Sequence, residues 1–129
     1  TLIKDQNYLV ENNIKISEEV KNQIIDLMHQ AVIFGTGRRA KSDLYSIGGK
    51  TGTANKIGVY GYDETRLLSS FLSFFPVTEP KYMVYVNYDE PIGNDETNFY
   101  ATGGVTAAPT VKKIIERVGL LLSVNPDKV

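Results

Sequence analysis

The chain has no cysteine among its 129 residues, which excludes disulfides and thiolate metal sites and fits any compartment. Its single histidine, His29, has no acidic or histidine partner at ligand spacing, so a surface or half-buried role is expected and no metal or cofactor is. Net charge is nearly absent as well. Fourteen Lys and Arg oppose fifteen Asp and Glu, a formal −1, so neither nucleic acid nor an anionic membrane surface is implied as a partner. The pairs Arg38-Arg39 and Lys112-Lys113 read as solvated faces. No run of about 20 apolar residues occurs and no leader pattern is visible, so the chain as given is expected to be soluble.

What is present is patterned. Residues 1–16 read as an extended lead-in with a turn at Asn12-Asn13. From Ser17 the period becomes helical: Val20, Ile24, Leu27, Met28, Ala31 and Val32 form a stripe expected to be core. Ser17 is the expected N-cap and Gly35 the stop, giving a helix over 17–34. Three strands are expected within 45–89: Tyr45 to Ala54, Leu67 to Phe75 and Tyr82 to Tyr88. Lys56 to Thr65 reads as a loop or loose hairpin connection, and the short turn from Pro76 to Pro80 forces antiparallel pairing. A final helix over 106–123 is capped by Thr106 and tolerates Pro109 in its first turn, with Val111, Ile114, Ile115, Val118, Leu121 and Leu122 buried. The sum is an α+β unit: a three-stranded antiparallel sheet with flanking helices.

Chemistry concentrates in Gly48-Gly49-Lys50-Thr51-Gly52-Thr53-Ala54. Along a strand Thr51 and Thr53 share one face, while Lys50 and Gly52 take the other. Two hydroxyls and a nearby ammonium suit a carboxylate, each bond to a charged partner being worth roughly 1.5–3 kcal/mol. Gly52 removes the Cβ that would block a ligand backbone lying alongside. The Thr53 N–H is a candidate donor to a developing oxyanion, and removing such a donor costs about 100- to 1000-fold in rate. A bare Lys-Thr-Gly triplet is weak evidence, better explained by a glycine-rich edge strand with a snorkelling lysine, since three-residue matches are common by chance.

The surrounding string is more specific. Lys-Thr-Gly is the third motif of serine penicillin-interacting enzymes, and Gly49-Lys50-Thr51-Gly52-Thr53-Ala54 resembles the form found in class B penicillin-binding proteins, the peptidoglycan D,D-transpeptidases. Gly35-Thr36-Gly37 upstream is similar to the family's Gly-Thr-Gly segment. Downstream, Ser70 to Pro76, Asp89-Glu90-Pro91, Tyr100 and Gly103-Gly104-Val105-Thr106-Ala107-Ala108-Pro109 follow in the family's order. The tail Val124-Asn125-Pro126-Asp127 resembles the ending of division-specific, septal members.

The resemblance implies a serine β-lactamase-like fold of which residues 1–129 are the C-terminal part. It also implies roles: Lys50, Thr51, Gly52 and Thr53 as substrate-binding residues, Lys50 and the Thr53 N–H as catalytic aids. Implied partners are peptidoglycan stem peptides, β-lactams and division-complex proteins. The implied setting is a parent anchored in the bacterial cytoplasmic membrane, with this part on the outer, periplasmic side.

One departure matters. No Ser-x-x-Lys occurs in the 129 residues, so the family's nucleophile is not in this chain and the chain alone is expected to be inactive. Ser123-Val124-Asn125 spells Ser-x-Asn but follows Lys-Thr-Gly instead of preceding it, and reads as chance. A β-lactamase or β-lactam-sensing domain shares Lys-Thr-Gly, and a non-catalytic binding module stays open because the nucleophile is missing. The isolated chain is expected to self-associate through exposed sheet. Gly35 to Ser42 loosely matches dinucleotide and phosphate-loop fingerprints, but it follows a helix and enters a strand, the reverse of what those motifs need.

Overall fold

The computed structural model describes residues 15–128, so the lead-in and its turn at Asn12-Asn13 lie outside the described residues. Helix α1 (Glu18–Ile33) starts where expected, with the Ser17 hydroxyl accepting the Val20 N–H at 3.3 Å. Its end is different in kind. Phe34 is the C-cap, and Gly35 is required by crowding, because a Cβ there would lie 2.8 Å from the Ala31 carbonyl oxygen. Both Gly35 and Gly37 donate their N–H groups to that same oxygen, at 3.1 and 3.0 Å. The chain then takes a short 3₁₀ turn, Arg38–Ala40.

Strands β1 (Gly48–Gly58), β2 (Gly61–Phe75) and β3 (Tyr82–Asp89) form one antiparallel sheet in the order β1-β2-β3. The stretch expected to be a loop, Lys56 to Thr65, is instead the outer half of a long hairpin turning at Val59-Tyr60. A register shift between Asn55 and Lys56 accommodates extra β2 residues, which is why charges and glycines masked the strand. At the root of this arm Lys56 Nζ bridges Asp89 at 2.7 Å and Glu90 at 2.8 Å, and Arg66 joins Glu90 at 2.8 Å. Hydrogen bonds from Lys56 and Arg66 hold the Glu90 carboxyl below its usual range.

Ser69, Phe71, Ser73 and Phe75 of β2 are buried on one face, and α2 (Ala107–Leu121) packs there through Ala107, Ala108, Val111 and Ile115. Tyr45 and Phe75 meet edge to face at 5.5 Å beneath it. The tail returns over this core. Val124 accepts the Tyr45 hydroxyl at 3.0 Å, and Asp127 accepts the Ser46 N–H at 2.7 Å together with the Ser46 and Thr78 hydroxyls.

Two expectations about burial and one about capping fail. In the α1 stripe only Val32 is buried, and Leu27 is 68% exposed, because only the last turns of α1 reach β1 among the described residues. Leu121 and Leu122 are exposed, since α2 ends there and the chain turns back. Thr106 makes no capping bond, its hydroxyl being engaged by the Thr102 carbonyl at 2.9 Å.

Candidate functional site

Strand β1 is an edge strand among the described residues. The side chains of Thr51 and Thr53 lie on the buried face of the sheet, opposite Phe71 and Ser69, while Lys50 and Gly52 stand opposite Leu72 and Ser70 on the other. The backbone groups alternate too. Ser46 O accepts from Val77 N at 3.0 Å on the β2 side, whereas Ile47 O and Thr51 O accept from His29 Nδ1 and Lys50 Nζ, each at 2.9 Å. Since a strand residue directs its N–H and C=O to the same side, the peptide groups of Gly49, Thr51 and Thr53 point to the free edge. His29, half-buried as expected, carries its proton on Nδ1, because a carbonyl oxygen can only accept.

A second layer holds the threonines. Thr36 Oγ1 and Thr51 Oγ1 share a hydrogen bond of 2.8 Å, so the segment after α1 is tied to β1. The Gly103 N–H donates to Thr53 Oγ1 at 3.1 Å. That bond occupies a lone pair and leaves the Thr53 O–H proton free to donate outward. Gly103 has to be glycine: a Cβ would lie 2.2 Å from Ser70 O and 2.6 Å from Gly52 O. Gly104 has the same constraint against Thr36 O, at 2.5 Å. Gly52 likewise answers to its own sheet before any ligand, since a Cβ would meet Ser70 Oγ at 2.5 Å.

The result is an open cleft of about 370 Å³ lined by Thr36, Arg38, Arg39, Thr51, Thr53, Thr102, Gly104 and Val105. Arg38 and Arg39 are the surprise. They are exposed, as the sequence reading expected, but they also border the hydroxyl cluster, and neither has an acidic partner among the described residues. Their Gly-Thr-Gly context was the available signal. Lys50 is exposed and does not line this cleft; it roots on the other face of β1 and brings its ammonium round to the Thr51 carbonyl at the free edge. Ser123 and Asn125 line a separate hollow with Pro76, Thr78 and Asp127, away from the threonines. Hydroxyls, guanidinium groups and edge N–H donors together make an anion-binding wall, suited to a carboxylate approaching along an exposed strand.

A family model described as the penicillin-binding protein transpeptidase domain matches residues 2–116. The chain belongs to the penicillin-binding protein transpeptidase family. Within this family it is similar to stage V sporulation protein D of Bacillus subtilis, 37% identical over 98% of this chain and 19% of that protein. It is 39% identical to a peptidoglycan D,D-transpeptidase FtsI homolog of Chlorokybus atmophyticus over 78% of this chain and 14% of the relative. The chain thus spans less than a fifth of either relative's length. Among solved structures it resembles the transpeptidase domain of Burkholderia pseudomallei penicillin-binding protein 3, with a TM-score of 0.74 and 29% identity over 87% of this chain and 33% of that one. The class B penicillin-binding reading and the α+β fold expected from the sequence both stand.

Proposed function

We propose that these residues are the C-terminal part of a peptidoglycan D,D-transpeptidase domain and form the carboxylate-gripping wall of its active site. Thr51 and Thr53 donate to the terminal carboxylate of a stem peptide or to the carboxylate of a β-lactam. Lys50 sustains the positive field from the free edge of β1, where its ammonium reaches the Thr51 carbonyl, and Arg38 and Arg39 add to it at the cleft mouth. The Thr53 N–H stabilises the oxyanion of the attacked carbonyl. The observation that carries this reading is the edge cleft in which three hydroxyls, those of Thr36, Thr51 and Thr53, converge beside two guanidinium groups that have no acidic partner among the described residues.

The attacking serine and the base that activates it lie outside these 129 residues, which contain no Ser-x-x-Lys. Septal cell-wall synthesis is the proposed setting, supported by the FtsI name carried by one relative. The proposed location is a parent held in the cytoplasmic membrane with this part outside it; among the described residues no helix is long and apolar enough to cross a membrane.

Acylation by fluorescent penicillin tests the proposal. The full-length protein should label readily, and Thr53→Val and Lys50→Ala should each slow labelling by about 10-fold or more, the scale of a lost charge-assisted bond. The 129-residue chain alone should show no covalent adduct by intact-mass spectrometry. Unchanged labelling in both variants would remove the assigned roles.

A further inference from the structure

The outer end of the β1–β2 hairpin is apolar, aromatic and bare. Val59, Tyr60 and Tyr62 are 91%, 102% and 77% exposed, and Ile57 pairs with Tyr62 beside them. No residue from Ile57 to Tyr62 carries a charge, so this tip offers nothing to an anionic lipid surface. The arm below it is braced: Lys56, Asp89, Glu90 and Arg66 clasp its root. Strand alternation puts Ile57 on the same face as Thr51 and Thr53, while Lys56 reaches Asp89 on the other.

The direction of approach is set by the edge itself. Towards its start β1 is blocked, because α1 delivers His29 onto the Ile47 carbonyl. Towards Gly58 it is open among the described residues. A peptide whose terminal carboxylate rests on Thr51 and Thr53 therefore extends antiparallel to β1, its amino end pointing at the hairpin tip. Thr53 to Val59 covers roughly 20 Å at strand rise. A stem peptide of about five residues, extended, spans roughly 17 Å. Its amino end, where the sugar is attached, arrives at Tyr60 and Tyr62.

We propose that this hairpin tip is a glycan subsite, on which uncharged sugar rings of the peptidoglycan strand stack against Tyr60 and Tyr62. The aromatic ring meets the apolar face of a pyranose while the phenol hydroxyl reaches its polar rim. The proposal rests on the stem-peptide reading of the Thr51–Thr53 cleft, and the experiment separates the two.

The full-length protein is titrated at equilibrium with a free stem pentapeptide and with the same peptide bearing its disaccharide, alongside Tyr60→Ala/Tyr62→Ala and Thr51→Val/Thr53→Val variants. The disaccharide should tighten binding by about 10-fold, the worth of one or two aromatic contacts. The tyrosine variant should lose that increment and keep the pentapeptide affinity. Pentapeptide binding without a sugar increment, or an increment the tyrosine variant retains, overturns the glycan subsite and leaves the cleft reading standing. Failure of the pentapeptide to bind, or indifference to the threonine variant, overturns both. Tyrosine-dependent co-sedimentation with phosphatidylcholine vesicles, with no sugar increment, assigns the tip to membrane contact and overturns the proposal as well.

Discussion

Thr53 has two duties, which one substitution removes together and another preserves together. Its hydroxyl oxygen accepts the Gly103 N–H while its proton is left for a ligand. Thr53→Val removes both, leaving a buried N–H unpaired at a cost of about 1–3 kcal/mol. Thr53→Ser keeps both. Serine at this position should retain penicillin labelling and melting temperature, whereas valine lowers both; equal melting temperatures for the two would mean the Gly103 bond contributes nothing. Asp127 supplies a pH signature. Burial pushes its carboxyl up, but hydrogen bonds from the Ser46 hydroxyl and N–H and from Thr78 more than offset this and hold it below the usual carboxylate range. A depressed folded-state pKa gives stability that is present above the unfolded value of about 3.9 and lost as pH falls through the folded one. Asp127→Asn should therefore destabilise by about 1–3 kcal/mol at pH 7, and the gap should narrow in urea unfolding below about pH 4. A gap independent of pH would place the stabilisation elsewhere.

At the scale of elements, what was legible followed from local chemistry. Ser17 as an N-cap, Pro109 in the first turn of α2 and the β-branched and aromatic run of β3 gave those elements to within a few residues, and the run of β2 gave only its inner part from Leu67, its outer part from Gly61 going unread. Alternation also placed Thr51 and Thr53 together on β1. Burial was not legible in the same way. The α1 stripe has helical spacing whether or not anything covers it, and the position of Arg38 and Arg39 depends on a turn that only tertiary contacts define. Gly119 went unread for that reason. It sits mid-helix in α2, where alanine is normally better by about 1 kcal/mol, yet a Cβ there would lie 2.6 Å from the Tyr45 ring. Overpacking of this sort costs about 1–3 kcal/mol and outweighs the propensity gain. Gly119→Ala should lower stability in chemical denaturation, and a stabilised variant would show that Tyr45 yields.

The whole molecule presents a two-faced sheet with one face covered. Opposite α2, Leu68, Leu72, Met83 and Tyr85 are exposed, Met83 at 71%, and β3 offers a free edge among the described residues. Apolar sheet next to an unpaired edge favours pairing with a second copy. Light scattering of the isolated 129-residue chain at micromolar concentration should give a mass above the monomer, and Met83→Lys together with Tyr85→Lys should reduce it. A strictly monomeric 129-residue chain would show that the face tolerates water.

The bond from His29 to the Ile47 carbonyl also has a meaning at this scale. A strand edge that is open at one end and plugged at the other can tell the end of a polymer from its middle. On the proposed carboxylate reading, about four residues, roughly 13 Å of edge from Thr51 to Ile47, could follow the anchored carboxylate before meeting His29, so the cleft would favour chain ends over long internal segments.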